Sequence, residues 1–489
     1  MRSYLLVLGA LSSVLVAAAP AVAATLTVGP GKTYATPCAA IAAAQPNDEV
    51  DVSPGTYTDT CSIAVSGLTL KGVGGQPKID LTGGSPSGQK GIYVIDAPGV
   101  TIENLELTGA VISAANGENG AGIRVEAQNL TVRGCYIHDN QNGILGQPLT
   151  AGGTLLIEGN EFSHNALGNG CDDSSLGDSC THNVYIGANV QTLTFQYNWS
   201  HNLATDTPDK GHLLKSRAQQ SYVLYNRLTG ETDTDSYEID LPQGGLAVVV
   251  GNLVEKPPSS GNGISLAYAE EGLSNADHRI FVAGNTFVNN HGGNGPFLNI
   301  ANGGVLVAHN NLFIGMGSPS STGALSADNL VGQTSDLVDA ATYDYHLVAG
   351  SAPIGKAVAP GSADTFSLVP VSEYVQPLSH VARTADADVG AYEFGTAPGT
   401  GGGSATGSGG ATASSSSGST TSTSSTAGAG GASGTGGSAE GTGGSSSSGS
   451  PGAKSGCGCV VAGDGATAPV ALLGALAFLS VAGRRRRRG

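Results

Sequence analysis

Three short segments gather the side chains best suited to acid–base chemistry: His182-Asn-Val-Tyr-Ile-Gly187, His212-Leu-Leu-Lys-Ser-Arg217 and Ser236-Tyr-Glu-Ile-Asp-Leu241. A Lys two residues from an Arg is suited to removing a proton beside a carboxylate. The neighbouring positive charge lowers the Lys pKa toward that of a useful base. The guanidinium grips a carboxylate through two parallel hydrogen bonds. A phenol such as Tyr185 can return a proton to a departing oxygen, and Glu238 and Asp240 can hold a Ca²⁺ ion that bridges to an anionic ligand. These are the requirements for β-elimination at a uronic acid. The expected roles are Lys215 as base, Arg217 as carboxylate clamp and Tyr185 as proton donor. Asn183, His212, Glu238 and Asp240 are expected to touch the substrate, with Tyr268 extending the groove on the next strand. Glu238 and Asp240 are also the candidate metal ligands.

Such a set works only if something aligns it. Polar and apolar residues alternate in all three segments, which is the period of a β-strand. Alternation turns Val184, Ile186, Leu214, Ser216, Ile239 and Leu241 inward and Asn183, Tyr185, Lys215, Arg217, Glu238 and Asp240 outward. With adjacent parallel strands about 4.8 Å apart, the two cations then lie between Tyr185 and the acidic pair. The longest polar insertions, 166–181, 202–210 and 230–236, would wall the groove. Two other readings exist. Opposite charges on adjacent strands also form plain surface ladders worth about 0–1 kcal/mol each. Asp172-Asp173, with Lys210-Gly-His212 nearby, offers paired carboxylates to a hydrolase.

A larger repeat organises these strands. Apolar runs ending at an Asn recur every 25–35 residues or so, at Ile157–Asn160, Phe195–Asn198, Leu224–Asn226, Val249–Asn252, Val282–Asn285 and Val307–Asn310. Short strands, Gly- and Asn-rich turns and no sustained helical period between about 100 and 320 favour a β-solenoid. Stacked coils would put the Asn residues in one column, each amide satisfying buried backbone. The Ala-rich segment 39–44 is expected to form a short helix that caps the open end.

The termini read differently. Residues 1–23 carry the Arg, apolar run and small-residue cleavage site of a signal peptide, so the chain is expected to be exported. Residues 396–455 are a Gly-, Ser- and Thr-rich linker without core-forming content. Residues 456–489 hold Cys457 and Cys459, an apolar stretch and Arg484–Arg488. By the positive-inside rule the Arg cluster would stay cytoplasmic, so the membrane is expected as a partner only through this tail. Setting aside Arg2 and, beyond residue 395, Glu440, Lys454, Asp464 and the five terminal Arg leaves 14 basic and 36 acidic residues, a net of −22. So acidic a body argues against nucleic acid, and a polyanion would need a local cationic patch or a bridging cation. Cys171–Cys180 and Cys38–Cys61 are the expected disulfides.

The tail, with a Cys pair, one short hydrophobic segment and a terminal Arg cluster, resembles the MYXO-CTERM sorting signal, which implies surface attachment and processing. The opening, Val28–Tyr34, then 38–44, then Asp48–Tyr57 and Leu68–Gly72, resembles that of pectin-lyase-like proteins. That resemblance implies an all-β fold, a right-handed single-stranded parallel β-helix with a short N-terminal capping helix over 24–395. Leu213-Leu-Lys215-Ser216 followed by Tyr225-Asn226 is similar to the Lys-Ser segment of chondroitinase B and related alginate lyases, which implies Lys215 as the Brønsted base and Ca²⁺ at the substrate carboxylate. In those lyases an Arg follows one coil later. Here that coil reads Ser236-Tyr-Glu-Ile-Asp240, so Arg217 is the substitute. The resulting expectation is a monomeric surface protein that acts on acidic polysaccharide as a lyase. The alternatives are a non-catalytic glycan-binding or adhesive protein and a polygalacturonase-like hydrolase.

Overall fold

The computed structural model describes residues 23–167, 181–204, 211–383 and 387–395. The expected signal peptide, the linker, the sorting tail, Asp172-Asp173 and the Cys171–Cys180 pair lie outside the described residues. Within them, each complete coil gives one short strand to each of three parallel sheets. In one coil Leu130–Arg133 lies in the first sheet, Tyr136–His138 in the second and Asn142–Gly146 in the third. Among the described residues these sheets hold 11, 11 and 10 strands. The chain is thus an all-β, right-handed parallel β-helix.

Register is set by stacking like on like. Ile102, Val132, Ile157, Phe195, Val223, Val249 and Val282 are successive partners in the first sheet, and all are fully buried. A shift of one residue would turn this whole column to the solvent side. Between the first and second sheets the chain bends in two residues. The first adopts positive φ, as in Gly159, Gly251 and Gly284. The second is the Asn of the repeat.

Those Asn residues form the expected column. Asn160, Asn198, Asn226, Asn252, Asn285 and Asn311 each accept, through Oδ1, the backbone N–H of the preceding coil's ladder residue at 2.8–3.1 Å. Their Nδ2 groups donate to strand carbonyls such as Val132 O, Ile157 O and Phe195 O. One position departs from the sequence reading. Asn310 takes the positive-φ place in the bend, and its neighbour Asn311 fills the ladder.

The amino-terminal cap is the helix Pro37–Ile41, shorter than the Ala-rich stretch implied, with Ala40 and Ile41 buried in the common core. The Cys38–Cys61 disulfide is formed, with a Cα–Cα distance of 5.9 Å. Residues beyond 330 cover the helix along its flank. Leu337, Tyr345, Leu347, Val389, Ala391 and Tyr392 pack on Leu253, Val288, Leu312 and Ile314, the outer face of the later second-sheet strands. Among the described residues no helix is long and apolar enough to cross a membrane.

Two stability effects follow. Replacing Asn226 by Leu strips partners from Asn198 and Asn252 and from buried backbone, at a cost of about 3 kcal/mol, read as a lower urea midpoint. Under the carboxy-terminal cover, burial pushes the Glu255 carboxyl up to about 7, although the Glu231 N–H and Asn290 Nδ2 both donate to it. Its protonated form is therefore favoured in the fold. That contribution is complete below the unfolded carboxyl value, is lost as pH rises through about 7, and amounts to about 3 kcal/mol. The melting temperature should fall between pH 5 and 8, and Glu255→Gln should flatten that fall.

Candidate functional site

The outer face of the third sheet collects the ionisable residues. Tyr185, Lys215, Asp240, Ala267 and Asn299 are successive register partners on neighbouring strands. Alternation holds there, since Val184, Ile186, Leu214, Ile239 and Leu241 join the core while Tyr185, Lys215 and Asp240 stay outside it. Lys215 Nζ lies 3.0 Å from Asp240 Oδ2 and 3.2 Å from Glu271 Oε1. Arg217 binds the Glu271 carboxylate through Nε and Nη2 at 2.6–3.1 Å and donates from Nη1 to the Tyr185 hydroxyl. Both cations also lie over the Tyr185 ring, at 5.8 and 5.1 Å from its centroid.

A column of rings borders this cluster. His182, His212 and Tyr237 stack at 5.0 and 4.9 Å. His182 Nδ1 accepts from the His212 N–H, and His212 Nδ1 accepts from the Tyr237 N–H, both at 3.0 Å. Each ring is thus a rung between coils, with its proton on Nε2. Burial, reinforced by nearby cations, holds both imidazoles well below their ordinary pKa and so neutral. His212 Nε2 points to Asp240 Oδ2 at 3.3 Å. Burial raises the Asp240 carboxyl, against the opposing pull of Lys215 and Arg217. The Tyr237 hydroxyl donates to Glu270 at 2.9 Å, and Asn299 donates to the same carboxylate, whose pKa burial raises.

Several expectations need correction. Lys215 was expected to project into solvent, yet it is 0 % exposed, and the Arg217 side chain is 11 % exposed. The pair lies outside the core but is enclosed by Glu271, Asp240 and Tyr185. Asn183 and Glu238 do not face outward. They precede the strands Val184–Ile186 and Ile239–Leu241, in the corner between the second and third sheets, where the adjacent coil's Leu213 also enters the core. Two consecutive residues point inward at this bend, so strict alternation fails. Asn183 Nδ2 donates to Ser200 Oγ, and its Oδ1 accepts from Asn165, extending a second amide ladder. Glu238 meets Lys256 Nζ at 2.7 Å, both fully buried, and burial raises its pKa strongly. Glu238 and Asp240 therefore answer to different cations and do not form a shared Ca²⁺ site. Among the described residues no group of three His, Cys, Asp or Glu side chains converges on a metal position. Tyr268 points into the core and donates to Gly245 O at 2.7 Å, so it lines no groove.

A model of the right-handed β-helix region matches residues 59–324. The chain belongs to the right-handed β-helix family. No curated protein sequence matches it. Among solved structures, pectate lyase Pel9A shares 13 % identity over 76 % of this chain and 96 % of its own, with a TM-score of 0.53. An alginate lyase of the PL6 group in complex with a trisaccharide shares 13 % identity over 61 % of this chain and 80 % of its own, with a TM-score of 0.31. At such identities the likeness to Pel9A is one of fold, and the chemistry of this β-helix protein must be argued from its own residues.

The residue that sequence reasoning undervalued is Glu271. It holds both cations at once, from a turn just beyond the strand Leu266–Tyr268. Its signal was a Glu-Glu pair one coil past the acidic segment. Asp240 is the deeper partner, and removing it takes from buried Lys215 its carboxylate at 3.0 Å. Asp240→Ala should therefore destabilise the protein by about 3–5 kcal/mol in urea unfolding. Glu271→Ala, at a side chain 18 % exposed, should cost clearly less.

Proposed function

We propose that this β-helix protein acts on an acidic polysaccharide at the outer face of its third sheet, and that it cleaves uronate linkages by β-elimination. One observation carries the reading. The Arg217 fork holds a carboxylate, that of Glu271, whose Oε1 lies 3.2 Å from Lys215 Nζ. A uronate carboxylate displacing Glu271 would sit in the same fork, with its neighbouring C–H toward Lys215. With its own ammonium proton passed to Asp240 across their 3.0 Å contact, the Lys215 amine takes that proton, the electron pair forms the new carbon–carbon double bond, and the glycosidic oxygen leaves one carbon further on. Tyr185, hydrogen-bonded to Arg217, supplies the proton to that oxygen. Asp240 positions Lys215, and neutral His212 positions Asp240. The acidic body makes this cationic pair the place where an anionic sugar gains most.

The full burial of Lys215 favours a second reading, in which the same face binds glycan without cleaving it. Ultraviolet absorbance separates the two, because elimination leaves an unsaturated uronate and neither hydrolysis nor binding does. Pectate, alginate and glycosaminoglycans, with and without Ca²⁺, should include one substrate that gains absorbance. Lys215→Ala should reduce that rate by at least about 100-fold. Silence across the whole panel would leave the binding reading in place of the lyase.

A further inference from the structure

A second site lies on a different face. The outer surface of the second sheet is apolar and covered at its later strands, but open and polar at its earlier ones. Running from the open part to the edge of the cover, Glu106, Tyr136, Glu161, Trp199 and the buried Arg227 are successive register partners. Tyr136 stacks on His138 at 4.0 Å and Trp199 on His201 at 3.7 Å. Each His is tied by Nε2, at 3.1 Å, to a carboxylate one strand earlier: His138 to Glu106 and His201 to Glu161. The same unit, an aromatic braced by a His and a Glu, thus occurs twice, two strands or about 10 Å apart.

The second unit ends at a cavity of 310 Å³ where the carboxy-terminal cover begins. Trp199, Arg227 and Glu231 form the wall from the helix, and Tyr343, His346 and Gln376 form it from the cover. Trp199 Nε1, Arg227 Nε and Gln376 Oε1 are buried and have no hydrogen-bond partner among the described residues. Arg227 is itself only 7 % exposed, with its other nitrogens bound to Glu231 and Tyr343 O. Unpaired buried polar atoms are costly in a native fold and call for a ligand or water. An aromatic wall flanked by an indole, a guanidinium and an amide suits a polyhydroxylated ring, and the volume is at the small end of ligand pockets.

We propose that this cavity, with the Tyr136–Trp199 face leading to it, binds one end of a neutral glycan chain, separately from the third-sheet site. Charge selects the neutral class. Glu106, Glu161, Glu231 and Asp344 line the face and pocket, and Arg227 is already compensated by Glu231. A uronate would meet like charges, whereas sugar hydroxyls can donate to the carboxylates. The aromatic spacing matches a chain running along the helix axis, with alternate residues on Tyr136 and Trp199.

Trp199 is the only tryptophan of the chain, so its emission reports on the pocket directly. The full-length protein is titrated with neutral oligosaccharides of glucose, xylose and mannose, and with oligogalacturonate as the acidic control. At least one neutral series should change the emission saturably. Gln376→Ala and Tyr136→Ala should each weaken that binding about 10-fold, and Lys215→Ala should leave it unchanged. No response to any neutral sugar, a response untouched by Gln376→Ala and Tyr136→Ala, or a stronger response to oligogalacturonate overturns the proposal. Loss of the response in Lys215→Ala protein whose urea transition shows it folded would also overturn it, by making the two sites one. A failed elimination assay leaves this titration unaffected, so the two readings fail independently.

Discussion

Each coil of this protein must pass its buried backbone groups to the next, and the amide ladder does this where the chain turns most sharply. A two-residue bend leaves peptide groups inside the coil that no strand can reach. An Asn there supplies one acceptor and two donors on a short side chain. From Asn160 to Asn311 each amide serves the coil on either side, so the ladder is satisfied only when the coils stand in one register. The same register then aligns every other column, including Tyr185–Lys215–Asp240 outside the third sheet and Trp199–Arg227 outside the second. Side chains nearly a hundred residues apart in sequence can share a site only because the ladder admits no slip.

This dependence explains what could be read in the sequence. The ladder residues recur at nearly regular spacing beside β-branched runs, so the fold was legible from composition and repeat alone. Alternation within Leu214–Ser216 and Ile239–Leu241 then put Lys215 and Asp240 on one outer face, as found. The failures cluster where the chain is not a strand. Asn183 and Glu238 lie one residue before their strands, in a corner where two successive side chains turn inward, and the period of two has no meaning there. Tyr268 shows a different limit. Its phenol reaches the Gly245 carbonyl and so satisfies itself in the core, while its residue type suggested a sugar platform. Glu271 sits on a turn, where no periodicity predicts a direction. What encloses a side chain depends on such turns, so the burial of Lys215 could not be read from its strand.

The enclosure bears on what the cluster is for. Taking Lys215, Arg217 and Asp240 out of water costs several kcal/mol per ion, and their mutual attraction rarely returns more than apolar residues of equal volume would. The interior of the helix is already filled by Val, Ile, Leu and Phe columns, so the cluster adds nothing that the fold requires. A buried set of two cations, their carboxylates and two neutral imidazoles outside the core is the feature on which the proposed chemistry rests. The neutral His column makes the arrangement rigid. Each ring is fixed by a backbone N–H from the adjacent coil, and His212 Nε2 lies 3.3 Å from the carboxylate that Lys215 faces.

The second-sheet face rests on the same scaffold but on opposite electrostatics. There the cations are few and compensated, the carboxylates are partly exposed, and the unpaired atoms include those of an indole, a guanidinium and an amide. A body of net charge −22 repels a polyanion everywhere except where positive groups are concentrated, and it has no such effect on a neutral chain. On the two proposals the faces divide by ligand charge. An anionic sugar would need Arg217 and would have to displace Glu271 to reach it. A neutral sugar would need only hydroxyl partners and a ring to lie on. A glycan containing both kinds of residue would give the two sites a common purpose, with the second-sheet pocket holding the chain while the third-sheet cluster meets its uronates.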